Sequence, residues 1–157
     1  MTSAIIIAVA VFIAACSGAV FKPGDWYMSL AKPSWTPPSW AFPVVWTVLY
    51  IMIGYSGWLV WQEAGLGLAF GLWTAQLVLN AAWSYFFFGR RRMDHAMVDV
   101  SGMWILIVAY MLVTWPVSPL ASLLFAPYLL WVTIAGALNW RVWQMNPEAH
   151  RQVIAVG

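Results

Sequence analysis

Long apolar runs separated by short polar stretches dominate this chain. Five of them, near residues 3–21, 43–61, 66–88, 96–115 and 120–143, carry almost no charge. About 20 residues at 1.5 Å rise cover a hydrocarbon core of ~30 Å, so each run is long enough to cross as a helix. None alternates polar and apolar positions, and each is roughly twice the length of a tilted barrel strand. The pattern predicts an all-α membrane protein, a five-transmembrane-helix bundle forming a single domain over 1–157. The connectors after the second and fourth runs are very short, which makes those neighbours antiparallel hairpins. Pro127 falls inside the fifth run and predicts a kink.

The stretch between the first two runs is the least generic. From Lys32 to Trp46 it contains Pro33, Pro37, Pro38 and Pro43, each of which fixes φ and removes a backbone donor. A stiff, partly polyproline-like connector follows. Trp35, Trp40 and Trp46 recur within it, and Pro43 suits the first turn of the next helix. Two readings stand at this point: a rigid aromatic lid over a pocket, or ordinary interfacial tryptophan.

Composition agrees with the hydropathy pattern. The 157 residues are 64% hydrophobic and 8% charged, with 13 Trp, whereas a soluble domain carries roughly a quarter charged residues. A net charge of +2, dispersed along the chain, does not point to nucleic acid. Cys16 is alone, which rules out a disulfide within the chain and a thiol-based metal site. Ile13 to Cys16 looks like a lipoprotein cleavage site, but Met1 to Ala4 lacks the Lys or Arg of a signal peptide, so a spanning helix with a buried Cys is expected. With five passes, all 7 Lys and Arg fall on one side, at Lys22, Lys32, Arg90 to Arg92, Arg141 and Arg151. The positive-inside rule then puts the N-terminus outside, the C-terminus in the cytoplasm, and the proline/tryptophan-rich loop between helices 1 and 2 in the cytoplasm. A helical bundle makes the inner membrane the default.

Polar and aromatic residues within the runs fall on helical stripes. Gln76, Asn80 and Trp83 share a face of the third run, and Trp46 and Tyr50 are four apart on the second. Tyr128, Trp131, Ala135 and Leu138 with Asn139 line the fifth. Amides at membrane depth are costly unless paired or facing a cavity. Either Asn80 and Asn139 bond neighbouring helices, or the stripes converge on a flat aromatic pocket. Gly67, Gly71 and Ala75 form a small-residue ridge suited to close helix approach, favouring a homodimer over packing within one chain. Asp99 lies about 7 Å past Asp94 and is expected to pair with Arg90 to Arg92 near the interface. Asp94 is a helix N-cap candidate. His95 and His150 have no companion ligand at i+3 or i+4, so no metal site is expected. No Ser/His/Asp set, phosphate loop or paired carboxylates assign enzyme chemistry.

Several motifs occur together in order: Lys32-Pro33-Ser34-Trp35-Thr36-Pro37-Pro38-Ser39-Trp40 with Trp46; Leu79-Asn80-Ala81-Ala82-Trp83; Phe87-Phe88-Gly89 with Met93; and Pro127-Tyr128-Leu129-Leu130-Trp131 followed by Ala135 and Leu138-Asn139. Together they resemble the TspO/MBR family, the bacterial tryptophan-rich sensory proteins related to the mitochondrial translocator protein. The resemblance runs nearly the whole chain. It implies a bundle, often homodimeric, with a pocket closed by the first connector. It implies that porphyrins such as protoporphyrin IX and haem bind as ligands rather than cofactors, as do isoquinoline-carboxamide and benzodiazepine drugs. By motif position the pocket would use Trp46, Tyr50, Asn80, Trp83, Tyr128, Trp131, Ala135 and Leu138, with Trp35 and Trp40 from the lid. A role in tetrapyrrole regulation and stress response is implied, in the bacterial inner membrane. The alternatives are light-dependent porphyrin degradation through Trp46 and Trp131, and a non-binding scaffold. Sterol binding is not implied, because Trp140 stands in the tyrosine slot of the Leu138 to Arg141 run.

Overall fold

The computed structural model describes residues 2–156, excepting the side chains of 150 and 154–156, so His150 as a ligand lies outside the described residues. The helices are α1 (Thr2–Val20), α2 (Asp25–Ser29), α3 (Ala41–Ala64), α4 (Leu68–Ser84), α5 (Met93–Thr114), α6 (Pro119–Leu123), α7 (Ala126–Met145) and α8 (Pro147–Val156), with a π-helical turn at Tyr85–Gly89 between α4 and α5.

Among the described residues, four helices are long and apolar enough to cross a membrane: Thr2–Val20, Ala41–Ala64, Met93–Thr114 and the combined Pro119–Met145. The expected five-transmembrane-helix bundle is therefore corrected to four. The run at 66–88 drops out because its α-helix stops after 17 residues, about 26 Å at 1.5 Å per residue and short of the ~30 Å core. Beyond it the hydrogen bonding widens: Arg90 N reaches Tyr85 O at 2.7 Å and Arg92 N reaches Phe86 O at 2.9 Å. Arg91, at φ 56°, takes the left-handed conformation that ends the turn.

The expectation of a proline/tryptophan-rich cytoplasmic loop is corrected as well. Its placement assumed five alternating passes, which four spans do not supply, and the connector opens with a short helix, α2. Its proline-rich part is held by local turns, with Thr36 N and Oγ1 donating to Pro33 O at 3.0 and 2.7 Å. Pro127 does not kink a continuous helix. It sits in the first turn of α7, where its missing donor costs nothing, and the break lies at Leu124–Phe125 between α6 and α7. Cys16, expected to be buried, is half-buried.

The main core is apolar and continuous, with Ile53, Val60, Trp73, Ile107, Tyr110, Phe125 and Tyr128 all nearly or fully inaccessible. Trp73 explains how α3 and α4 meet. Its Nε1 donates to Ile53 O at 2.9 Å across the helix interface. Its ring lies so close to Gly57 that a Cβ there would sit 2.4 Å from Trp73 Cε2, so a residue without a side chain is what permits the approach. A second, smaller core gathers Leu30, Phe87, Met93, Ala96, Leu138 and Val142 where α5 begins and α7 ends.

Two contacts fix the register of the helices around the site. The Leu79 side chain of α4 packs where a Cβ on Gly102 of α5 would lie, and Val100 of α5 packs in the same way on Gly136 of α7. Both pairs run antiparallel, so each step back along α5 from Gly102 is a step forward along α4 and α7.

Candidate functional site

Asn80 bonds neighbouring helices on both sides. Tyr50 from α3 donates through its hydroxyl to Asn80 Oδ1 of α4 at 2.7 Å. Asn80 Nδ2 donates to the Tyr128 hydroxyl of α7 at 2.9 Å, and that hydroxyl donates to Gln76 Oε1 at 3.0 Å. Gln76 Nε2 completes the chain on Trp73 O at 2.8 Å. Three helices are thus tied by side chains at membrane depth, and both amides are buried, Gln76 at 0% and Asn80 at 4% exposure. Apolar surroundings raise the cost of leaving such groups unpaired, which is why the network is fully connected here.

Rings crowd around this chain. Trp46 lies 5.4 Å from Tyr50 and 6.1 Å from Tyr128, centroid to centroid. Phe42, at the start of α3, stands edge-on to Trp131 at 5.7 Å. Trp83 stacks on Phe87 at 5.0 Å and packs against both cores. Leu138 belongs to the smaller core, and Ala135 lies between Trp131 and Leu138 on α7, half-buried. Trp35 and Trp40 do not join the buried set: they are 48% and 67% exposed on the connector.

Two grooves lie outside this chain of bonds. A groove of about 510 Å³ runs between α1 and α3, lined by residues including Ile7, Val11, Gly54 and Trp58, and Tyr50 lines it while its hydroxyl bonds inward to Asn80. A second, of about 350 Å³, lies between α5 and α7 at Trp104 and Gly136.

The connector is fastened at its base by a residue that helical spacing did not single out. Asn146, just past α7, accepts from Ala31 N at 2.9 Å and donates to Ala31 O at 2.9 Å and Val142 O at 2.7 Å. Its signal in the sequence is slight, an Asn before Pro147 at a helix end. Lys32 is also engaged, donating to Leu30 O at 3.0 Å with its ammonium 4.5 Å over the Tyr27 ring. Burial of Tyr27 beneath it raises that phenol's pKa by desolvation.

The charges near α5 differ from expectation. Arg92 forks onto Asp94 at 2.9 and 2.6 Å and approaches His95 Nε2 at 2.8 Å. Asp94 therefore serves an ion pair from the first turn, and Arg92 occupies the cap position in its place. Asp99 does not reach the arginines. It is 7% exposed, and its Oδ2 has no hydrogen-bond partner. Among the described residues, no group of three or more His, Cys, Asp or Glu could hold a metal ion.

The fold and site thus define an all-α, multi-pass membrane protein with an aromatic and amide-lined interior. The TspO/MBR family profile matches residues 4–144, and the chain belongs to that family. Protein CrtK of Rhodobacter capsulatus is 44% identical, covering 88% of this chain and 92% of its own. The tryptophan-rich sensory protein of Cereibacter sphaeroides is 40% identical with the same coverage. The human translocator protein is 44% identical over 82% of this chain and 81% of its own. None of these three names is that of an enzyme, and no catalytic constellation is assigned here.

Proposed function

We propose that this chain is a membrane sensor or carrier that binds a flat hydrophobic ligand, a porphyrin such as protoporphyrin IX or haem, or a drug-like heteroaromatic, between α3, α4 and α7. The observation that carries this reading is the Tyr50–Asn80–Tyr128 hydrogen-bond chain, walled by Trp46 and continued toward Trp83 and Trp131. Rigid polar contacts set among large aromatic faces suit a planar guest: the rings supply dispersion and stacking, and the amide fixes orientation. Trp131, Ala135 and Leu138 form one wall, and Trp35 and Trp40 belong to the cover, which Asn146 holds by its base. Tetrapyrrole regulation is the role that such binding would serve.

The test is a protoporphyrin titration of the protein in bilayers, read by quenching of intrinsic fluorescence. The double variant Trp46→Phe, Trp131→Phe should lose about tenfold in affinity, since each aromatic pair contributes roughly 0.5–1.5 kcal/mol beyond its area and two indoles are replaced by smaller rings. Unchanged affinity, or titration that never saturates in the parent, rejects the pocket.

The basic residues Lys32, Arg91 and Arg92 lie with α2 and the start of α5 at one end of the bundle. A bacterial inner membrane is the location proposed for the bundle. A homodimer through Gly67, Gly71 and Ala75 belongs to the same proposal: Gly71 is exposed, and a Cβ there would meet nothing within 4 Å. Gly71→Leu should then shift cross-linked dimer to monomer with thermal unfolding unchanged. Dimer yield equal to the parent's would place the interface elsewhere.

A further inference from the structure

Three buried polar atoms near this site have no partner: Trp83 Nε1, Asp99 Oδ2 and Asn139 Oδ1. The helix register brings them to one level. With Leu79 against Gly102, one turn forward along α4 reaches Trp83 as one turn back along α5 reaches Asp99. With Val100 against Gly136, Asp99 is level with the stretch between Ala135 and Asn139 on α7. Asn139 confirms this register, since its Nδ2 donates to Met93 O at 3.0 Å and lies 3.6 Å from Met97 Sδ. Those contacts also fix which way the amide faces, leaving its oxygen as the free atom. Asp99 is one turn from Met103, whose sulfur lies 3.2 Å from the Tyr128 hydroxyl. The unpartnered group therefore begins one turn beyond the closed hydrogen-bond chain, at the level of Trp83 and Ala135.

Native interiors leave few polar groups unpaired, and each exception needs a physical reason. A carboxyl at this depth is especially costly, and residues of its kind within spans mark binding or transport paths. The three atoms are complementary in kind: two acceptors and one donor. We propose that Asp99, with Asn139 and Trp83, forms the polar pole of the ligand site and selects a flat aromatic ligand that presents an N–H beside an acceptor atom. The N–H donates to the oxygens of Asp99 and Asn139, and the ligand's acceptor takes the Trp83 indole proton. This rests on the pocket reading above and narrows its ligand class.

The test uses two isoquinoline carboxamides that differ only in bearing N–H or N–CH₃, titrated against protein in bilayers. The parent should prefer the N–H compound by about tenfold, the effect of one buried hydrogen bond to a charged or strongly polar acceptor. Asp99→Leu should abolish that preference while its melting temperature stays level or rises, because it removes an unpaired buried carboxyl. Trp83→Phe, which keeps the ring and loses the N–H, should weaken both compounds by the same factor. If the parent binds both compounds equally, or Asp99→Leu keeps the preference, this inference is overturned and the pocket stands. A fall in melting temperature with the preference intact makes Asp99 a structural residue. If neither compound binds saturably, the pocket and the inference fall together.

Discussion

The bundle holds two buried polar clusters in the same apolar setting, and they are built to opposite rules. Where α3 meets α5 and α6, Ser56 Oγ donates to Ala121 O at 2.7 Å and pairs with the Tyr110 hydroxyl at 2.6 Å. Ser122 Oγ donates to Met111 O at 2.9 Å nearby. Thr114 Oγ1, a small hydroxyl one turn past Tyr110, is left without a partner. Where α4 and α7 meet the start of α5, the unpartnered atoms are an indole N–H, a carboxyl oxygen and an amide oxygen, on three different helices. Thr114 apart, the first arrangement joins helices with small, short-reach groups that bond one another or a backbone carbonyl. The second leaves larger, more strongly polar groups facing each other's level with nothing to bond. Since a buried unpaired group costs far more than a paired one returns, the paired atoms of the first cluster add stability and the unpaired atoms of the second subtract from it.

Ser56→Ala gives the largest expected effect and is the direct way to break this contrast. It takes the Ser56 partner from both the Tyr110 hydroxyl and the Ala121 carbonyl in a region where Ser56 and Tyr110 are 0% exposed. A loss of about 2 kcal/mol is expected, visible as a lower melting temperature, with porphyrin affinity unaltered once the protein is folded. Asp99→Leu, at the other cluster, should show the reverse pattern. If Ser56→Ala were neutral and Asp99→Leu destabilising, the assignment of the two clusters would have to be exchanged.

The bonded contact between α4 and α7 could be read from spacing alone. Gln76, Asn80 and Trp83 on one face, and Tyr128 to Leu138 on another, follow from the 3.6-residue period, and the structure joins these faces through Asn80 and Tyr128. The family was legible for a related reason: its helical motifs include residues that pack or bond between helices, such as Asn80, Tyr128 and Leu138. Hydropathy could not reveal where α-helical hydrogen bonding gives way to the wider turn at Tyr85–Gly89, because Tyr85 to Phe88 read as apolar in either geometry. That is how a run of apolar letters was counted as a full span. Likewise Asp99 was assigned to Arg90 to Arg92 by linear distance, whereas Asp94 is nearer and better placed for Arg92. Asn146 was missed because its partner, Ala31, is 115 residues away in sequence.

Asn146 offers the smallest effect and the finest discrimination. Its side chain makes a two-point clamp on the Ala31 backbone, N–H and carbonyl together, as a strand neighbour would. It also closes the end of α7 on Val142 O. The clamp is exposed to solvent on the Ala31 side, so water can replace both bonds and Asn146→Ala should cost only about 1 kcal/mol. Its effect on the cover should be larger in rate than in equilibrium. With the base of the connector released, the segment bearing Trp35 and Trp40 gains freedom, so bound porphyrin should leave several-fold faster while its arrival rate is nearly unchanged. Stopped-flow displacement separates the two rates. A dissociation rate matching the parent's would mean that the connector does not cover the site, and the tryptophans on it would then be interfacial, as their exposure alone permits.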